Sequence, residues 1–196
     1  KRAVKKLALL SGFELDLSMN INLSAMDLQD ETLAAYIKSC VDEYSVNPES
    51  LCFEVTETAI MFDLPRAIEV AAAIRSLGSN IALDDFGTGF SSLSLLREFP
   101  ANVVKIDSSF VATMSVNPED RSIVKSMVKL GHNLDRSVVA EGVEDLNSLN
   151  YLKQFGCDFM QGRLLSKPMS CSDTLSWLDA YLLKSKEELG RLNNIN

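Results

Sequence analysis

The 196-residue chain is 46% hydrophobic and carries a formal net charge of −8 at pH 7, which predicts one globular domain with a hydrophobic core. The negative charge argues against a protein that binds DNA or RNA through a basic surface, and no apolar run reaches the roughly 20 residues that span a bilayer. The chain has one histidine, which excludes a metal centre built from several histidines. Its four cysteines are far apart in the sequence, which favours buried free thiols in a reducing cytoplasm.

Short apolar segments typical of strands begin near residues 19, 51, 79, 102, 137 and 157. The stretches between them have helical periodicity, and a helix is already in progress at Lys1. Alternation of strands and helices predicts an α/β fold with parallel strands and right-handed crossovers. A closed (β/α)8 barrel takes eight strands. We therefore expect two further strands before Lys1, so that residues 1–196 form one N-terminally incomplete domain.

Proline or aspartate at the start and glycine at the end mark three helices, over residues 63–78, 117–131 and 145–156. A final helix is predicted from Ser172 to about Leu189. It becomes polar towards its end, so we expect the 172–196 segment to end in a frayed tail.

Each strand candidate ends in one polar side chain that could serve chemistry. These are Asn22, Glu54, Asp84, Lys105, Glu141 and Gln161. The carboxyl ends of parallel strands share one face, so we expect the six side chains to converge there, as they do in barrel enzymes. Strand alternation turns Glu54, Asp84 and Lys105 towards the barrel axis. A divalent cation such as Mg²⁺ or Mn²⁺ would relieve the repulsion between buried carboxylates.

The neighbouring carboxylates of Asp84 and Asp85 strengthen the prediction of a metal site. At a strand end the backbone turns, so both can reach the open mouth of the barrel. Such a pair could serve two metal ions with Asp84 bridging, the arrangement used in phosphoester cleavage. A glycine-rich turn, Gly87-Thr88-Gly89, follows before a predicted helix near Ser91, and its backbone amides favour an anionic group.

Most of these residues also have a structural explanation. For Glu57 and Glu144, a role as acids in the first turn of a helix explains the residues as well as a role in the site does. Asp107 is equally well explained as a helix cap. Lys105 could pair with Asp84 or Glu141. It could also form a Schiff base as in an aldolase, although nearby carboxylates would keep it protonated and make it a poor nucleophile.

Taken in order, six segments of the chain resemble the motif set of the EAL-domain cyclic-di-GMP phosphodiesterases, with DDFGTGFSSL and AEGVE the most specific. They lie at residues 22–24, 54–57, 84–93, 105–107, 140–144 and 161–168. The resemblance implies a TIM-like barrel with one antiparallel strand. It implies that the protein hydrolyses cyclic di-GMP to linear pGpG and that it uses two bound Mg²⁺ or Mn²⁺ ions to do so. It further implies a homodimer, with sensory or GGDEF domains, or a membrane anchor, elsewhere in the full-length protein.

The resemblance also assigns roles to individual residues. It implies that the metal ligands are Asn22, Glu54, Asp84 and Asp85, and that the catalytic residues are Lys105, Glu141 and Gln161. It implies a substrate-binding loop formed by Phe86, Gly87, Thr88, Gly89, Phe90, Ser91 and Ser92. In this family Glu57 would anchor that loop, and Glu144 would contact the site residues without binding the metal or the substrate itself.

The chain departs from the family pattern in two places. The Glu-Ala-Leu motif is not among its residues and would belong before Lys1, so we expect these 196 residues alone to be inactive or poorly folded. Arg163 stands where the family usually has an aromatic residue, and it either contacts a substrate phosphate or points outward. The alternative function is a module that binds cyclic di-GMP without cutting it.

Overall fold

The computed structural model describes residues 1–10, 15–88 and 93–193. Strands and helices alternate through these ranges. The strands are β1 (Met19–Asn22), β2 (Leu51–Thr56), β3 (Asn80–Phe86), β4 (Val103–Ile106), β5 (Ser137–Ala140) and β6 (Phe159–Met160). The α-helices are α1 (Arg2–Leu10), α2 (Leu33–Tyr44), α3 (Glu57–Phe62), α4 (Leu64–Ser76), α5 (Leu93–Glu98), α6 (Ser108–Thr113), α7 (Pro118–Asn133), α8 (Leu146–Phe155) and α9 (Cys171–Asn193).

The described strands form one sheet in the order β1 to β6, and every neighbouring pair is parallel. The sheet is therefore a six-stranded part of a (β/α)8 TIM-like barrel, as predicted. No antiparallel strand occurs in the described ranges. In the register, Asn22 lies beside Glu54 and Thr56 beside Asp84, so the carboxyl ends of β1, β2 and β3 meet at the same level.

The two faces of β2 separate the core from the site. Leu51, Phe53 and Val55 are buried in one cluster with the apolar side chains of the surrounding helices. Cys52 and Glu54 lie on the opposite face, because successive strand residues alternate. This is the orientation predicted from the sequence.

Side-chain caps begin the three predicted helices. Asp63 accepts a hydrogen bond from Arg66 N, Asn117 from Glu119 N, and Asp145 from Asn147 N and Ser148 N. Each cap satisfies an amide that has no partner within its helix. The last helix, α9, runs on to Asn193, and residues 194–196 lie outside the described ranges.

The cysteines are free, as predicted: Cys40, Cys52 and Cys157 are buried and Cys171 is partly buried. None of the described helices combines the length and the apolar character needed to cross a bilayer.

Candidate active site

A buried lysine lies at the centre of the polar strand ends. Lys105 Nζ is 2.7 Å from Glu54 Oε1, 2.9 Å from Asp84 Oδ1 and 2.7 Å from Glu141 Oε1. The lysine belongs to β4, and its partners belong to β2, to β3 and to the residue that follows β5. The structure therefore brings together four of the six predicted strand-end side chains.

These contacts fix the charge of the lysine. Burial lowers the pKa of Lys105, but the hydrogen bonds that its ammonium group donates to Glu141, Glu54 and Asp84 outweigh burial, and the pKa is raised above its ordinary value. The amine therefore stays protonated at neutral pH and has no lone pair for Schiff-base formation. The geometry thus weighs against the aldolase alternative.

Both neighbouring aspartates reach the mouth because β3 is irregular at this point. The pairing of β3 with β4 shifts register between Leu83 and Phe86, and Asp85 has a positive φ of 55°. A register shift of this kind re-aims side chains at a strand end. Carboxylate oxygens of Asp84, Asp85 and Glu141 consequently lie within 4.8 Å of one another.

Close carboxylates disfavour their own ionisation. Burial and the charge of Asp84 raise the pKa of Asp85, and burial raises the pKa of Glu141 in spite of the hydrogen bond that Glu141 accepts from Lys105. A donor set made only of carboxylate oxygens suits a hard divalent cation such as Mg²⁺ or Mn²⁺, which would also relieve this repulsion. The residues present therefore fit a metal site.

Two predicted metal ligands lie beside this trio rather than within it. Glu54 Oε1 contacts Lys105 and accepts a hydrogen bond from Asn20 Nδ2 at 2.7 Å. Asn22 is exposed at the end of β1, next to Glu54 in the sheet. Asn20 was not predicted as a site residue, although strand alternation places it on the same face as Asn22 and could have identified it.

Glu57 links β2 to the turn that follows β3. It is the first residue of α3, as its structural explanation predicts, and yet its side chain is buried and its Oε1 accepts a hydrogen bond from Gly87 N at 3.5 Å. Gly87 has a φ of 106°, and a Cβ there would lie 2.6 Å from Met127 Cε. Only glycine fits this turn without strain.

The predicted loop is described only in part. Phe86 is buried at the end of β3 and Thr88 is exposed. Gly89, Phe90, Ser91 and Ser92 lie outside the described residues.

Gln161 and its neighbours pack against the segment that follows β5. The exposed Gln161 follows β6 and donates its backbone N–H to Ala140 O at 2.9 Å. A Cβ at Gly162 would collide with the backbone of Val143, so the segments after β5 and β6 pack backbone to backbone.

The remaining predicted residues are exposed or structural. Glu144 precedes the Asp145 cap of α8, so it is not a first-turn helix acid, and its Oε1 lies 3.7 Å from Arg163 Nη1. Asp107 caps α6 by accepting from Ser109 N, as its structural alternative predicts.

The sequence model of the EAL domain matches residues 1–168. The chain is 40% identical to the signalling protein YkoW of Bacillus subtilis, over 79% of this chain and 19% of YkoW. It is 35% identical to the bifunctional diguanylate cyclase/cyclic di-GMP phosphodiesterase MucR of Pseudomonas aeruginosa, over 85% of this chain and 24% of MucR. The chain therefore spans about a fifth to a quarter of these curated relatives.

Solved structures show the same similarity. The structure of the PaMucR phosphodiesterase in complex with c-di-GMP superimposes with a TM-score of 0.82 at 34% sequence identity. That superposition covers 88% of this chain and 70% of the PaMucR chain.

Proposed function

The chain belongs to the EAL domain family, and we propose that it is the part of a metal-dependent phosphodiesterase that hydrolyses cyclic di-GMP to linear pGpG. The observation that carries the proposal is the buried cluster in which Lys105 contacts Glu54, Asp84 and Glu141. The proposal is supported by the similarity to MucR, which is named a cyclic di-GMP phosphodiesterase and whose solved complex contains c-di-GMP.

The carboxylates of Asp84, Asp85 and Glu141 would hold the cation, with Asn22 and Glu54 as the further ligands that the family resemblance implies. When bound, one or two Mg²⁺ or Mn²⁺ ions lower the pKa of water and offset the charge that develops on phosphate oxygens. The acidic site could not otherwise accept an anionic substrate without strong repulsion.

Lys105 acts as a hydrogen-bond donor in this proposal, because a protonated amine cannot accept a proton from water. To orient the attacking water, its ammonium group gives up one of its three carboxylate contacts, and Gln161 helps to hold the same water. The water oxygen forms a bond to phosphorus and the bond from phosphorus to the ribose 3′ oxygen breaks. The proton lost by the water ends on the 3′ oxygen, which leaves a 5′-phosphate on linear pGpG.

The wider setting follows from the family resemblance and is proposed with it. We place the reaction in the cytoplasm and residues 1–196 in one EAL-type domain. A homodimer and attached sensory or GGDEF domains remain predictions.

The test is hydrolysis of cyclic di-GMP by the natural full-length protein, with pGpG separated by chromatography. We expect product with Mg²⁺ and none after excess EDTA. Asp84→Ala should abolish turnover, while Asp42→Ala, an exposed aspartate on α2, should leave it unchanged. Near-wild-type turnover of Asp84→Ala at saturating Mg²⁺ would contradict the proposal, and tight binding without turnover would favour the receptor alternative.

A further inference from the structure

A cavity of about 640 Å³ opens between helix α9 and the segments that follow β5 and β6. Gln161, Glu144 and Gly142, the residue after Glu141, line the cavity, and so does Trp177 of α9. The EAL domain match ends at residue 168, so Trp177 lies outside the motifs that the family resemblance assigns.

Trp177 presents a flat aromatic surface at this cavity. The residue is 40% exposed. One ring face is covered by Tyr181, one helical turn further along α9, with ring centroids 5.4 Å apart and an angle of 17° between the planes. Leu178 is buried and attaches this turn of α9 to the domain. One face of the indole is therefore packed against Tyr181, while part of the ring remains accessible to solvent.

The same cavity is lined by two cationic residues, Arg163 and Lys167. Arg163 contacts Glu144 at 3.7 Å, with side chains that are 72% and 59% exposed. An exposed ion pair of this length stabilises the protein very little, so the guanidinium can exchange Glu144 for a stronger anionic partner. In a chain with a net charge of −8, this wall is a favourable place for a phosphate group.

An aromatic face beside cations is the combination that binds a nucleotide, since bases stack on indole rings and phosphates pair with guanidinium groups. We propose that Trp177 is a specificity-determining residue that stacks on one purine base of the substrate, while Arg163 contacts the adjacent phosphodiester. This inference rests on the proposed function, because it takes cyclic di-GMP as the substrate. It extends the binding site onto α9, beyond the strand ends of the barrel.

The test compares Trp177→Leu, which keeps an apolar side chain, with Trp177→Phe, which keeps an aromatic ring. KM and kcat are measured for cyclic di-GMP hydrolysis by the full-length protein, and Kd by equilibrium dialysis. We expect Trp177→Leu to raise KM and Kd roughly 5- to 150-fold, the range of one lost base–aromatic stack, with kcat little changed. Trp177→Phe should restore most of the affinity. Thermal unfolding of each variant checks that the domain is folded.

A second readout needs no folded leucine variant. Trp177 is the only tryptophan among the 196 residues, so the difference in emission between the wild type and Trp177→Phe reports on this indole. Cyclic di-GMP and GMP should quench that difference signal, and inorganic phosphate should not.

The possible failures are distinguishable. Hydrolysis with an unchanged KM and Kd in Trp177→Leu, or with unquenched Trp177 emission, overturns this inference and leaves the proposed function intact. Binding without hydrolysis, still weakened by Trp177→Leu, supports this inference and overturns the phosphodiesterase proposal. No binding of cyclic di-GMP by dialysis overturns both.

Discussion

Lys105 Nζ and Glu141 Oε1 lie 2.7 Å apart at the carboxyl ends of β4 and β5. Along the chain, 35 residues lie between them and form α6, α7 and β5. The lysine side chain is only 4% exposed and has two more carboxylate partners, Glu54 and Asp84. One buried cation therefore compensates three anions contributed by different strands. Removing it would leave buried negative charges without a partner, which is more costly than the loss of a surface ion pair.

Replacing Lys105 should destabilise the fold as well as the chemistry. We expect Lys105→Met to lower the free energy of unfolding by about 3–5 kcal/mol at neutral pH without divalent metal. Urea denaturation measures this, with Lys38→Met as the control, because the Lys38–Asp42 pair is exposed and contributes about 0.3–0.5 kcal/mol. Equal stability of the two variants would show that the carboxylates are not compensated by Lys105.

Divalent metal should stabilise the folded protein before any substrate is added. Mg²⁺ at a hundredfold excess over its dissociation constant should raise the free energy of unfolding by about 2.7 kcal/mol, since the unfolded chain has no assembled site. We expect Asp84→Asn to lose most of this gain and the exposed-site variant Asp42→Asn to keep it. Thermal unfolding with Mg²⁺ or EDTA measures the effect. A gain that is identical in all three proteins would place the cation elsewhere.

The cap of α8 should make stability depend on pH. Hydrogen bonds from the Ser148 side chain and backbone, with a smaller contribution from Asn147, lower the pKa of Asp145. A lowered folded-state pKa gives stabilisation that is present above the ordinary carboxyl range and is lost as the pH falls through the folded-state pKa.

We therefore expect Asp145→Ala to lower the free energy of unfolding by about 1 kcal/mol at pH 7, and by less at pH 3. Asp179→Ala, on the exposed side of α9, should change it by less than about 0.5 kcal/mol at either pH. Urea titrations at the two pH values decide the matter. If Asp145→Ala lowered the free energy of unfolding by more at pH 3 than at pH 7, the prediction would be wrong.

Thiol reactivity should follow burial. Burial raises the pKa of Cys157 to about 11, and its Sγ lies 3.3 Å from the Phe159 carbonyl oxygen. Only about one molecule in a thousand would carry the Cys157 thiolate at pH 8, and the thiolate is the reactive form. Iodoacetamide should therefore modify the partly buried Cys171 first in the folded protein. Peptide mass spectrometry reads out both sites, and urea should make them react alike.

The strand order, the caps and the inward direction of the site residues could be predicted because each depends on local pattern. Alternation within LCFEVT predicts on which face Glu54 lies, and Asp145 before an apolar periodic segment predicts a helix start. These rules need only the spacing of residues a few positions apart. They hold here because the sheet is parallel and its register brings the strand ends to one level.

The contacts between distant residues could not be predicted in the same way. Spacing indicates that Lys105 faces the axis, but whether it meets one carboxylate or three depends on how the strands curve together. The position of Trp177 is a stronger example, because helical periodicity predicts an apolar side for α9 and does not indicate that one ring of that side lines a cavity. Asn20 was missed for a different reason, since its alternation with Asn22 was visible and its contact with Glu54 was not.

The separation of the two faces of β2 has a consequence for how such a domain can change. Substitutions of Leu51, Phe53 or Val55 alter the packing against the helices, whereas Glu54 on the other face carries the charge of the site. The packing against the helices and the charge of the site are thus encoded by interleaved residues of one strand. A lineage could lose its carboxylates one by one and still keep a folded scaffold, as long as Lys105 was replaced in step with them.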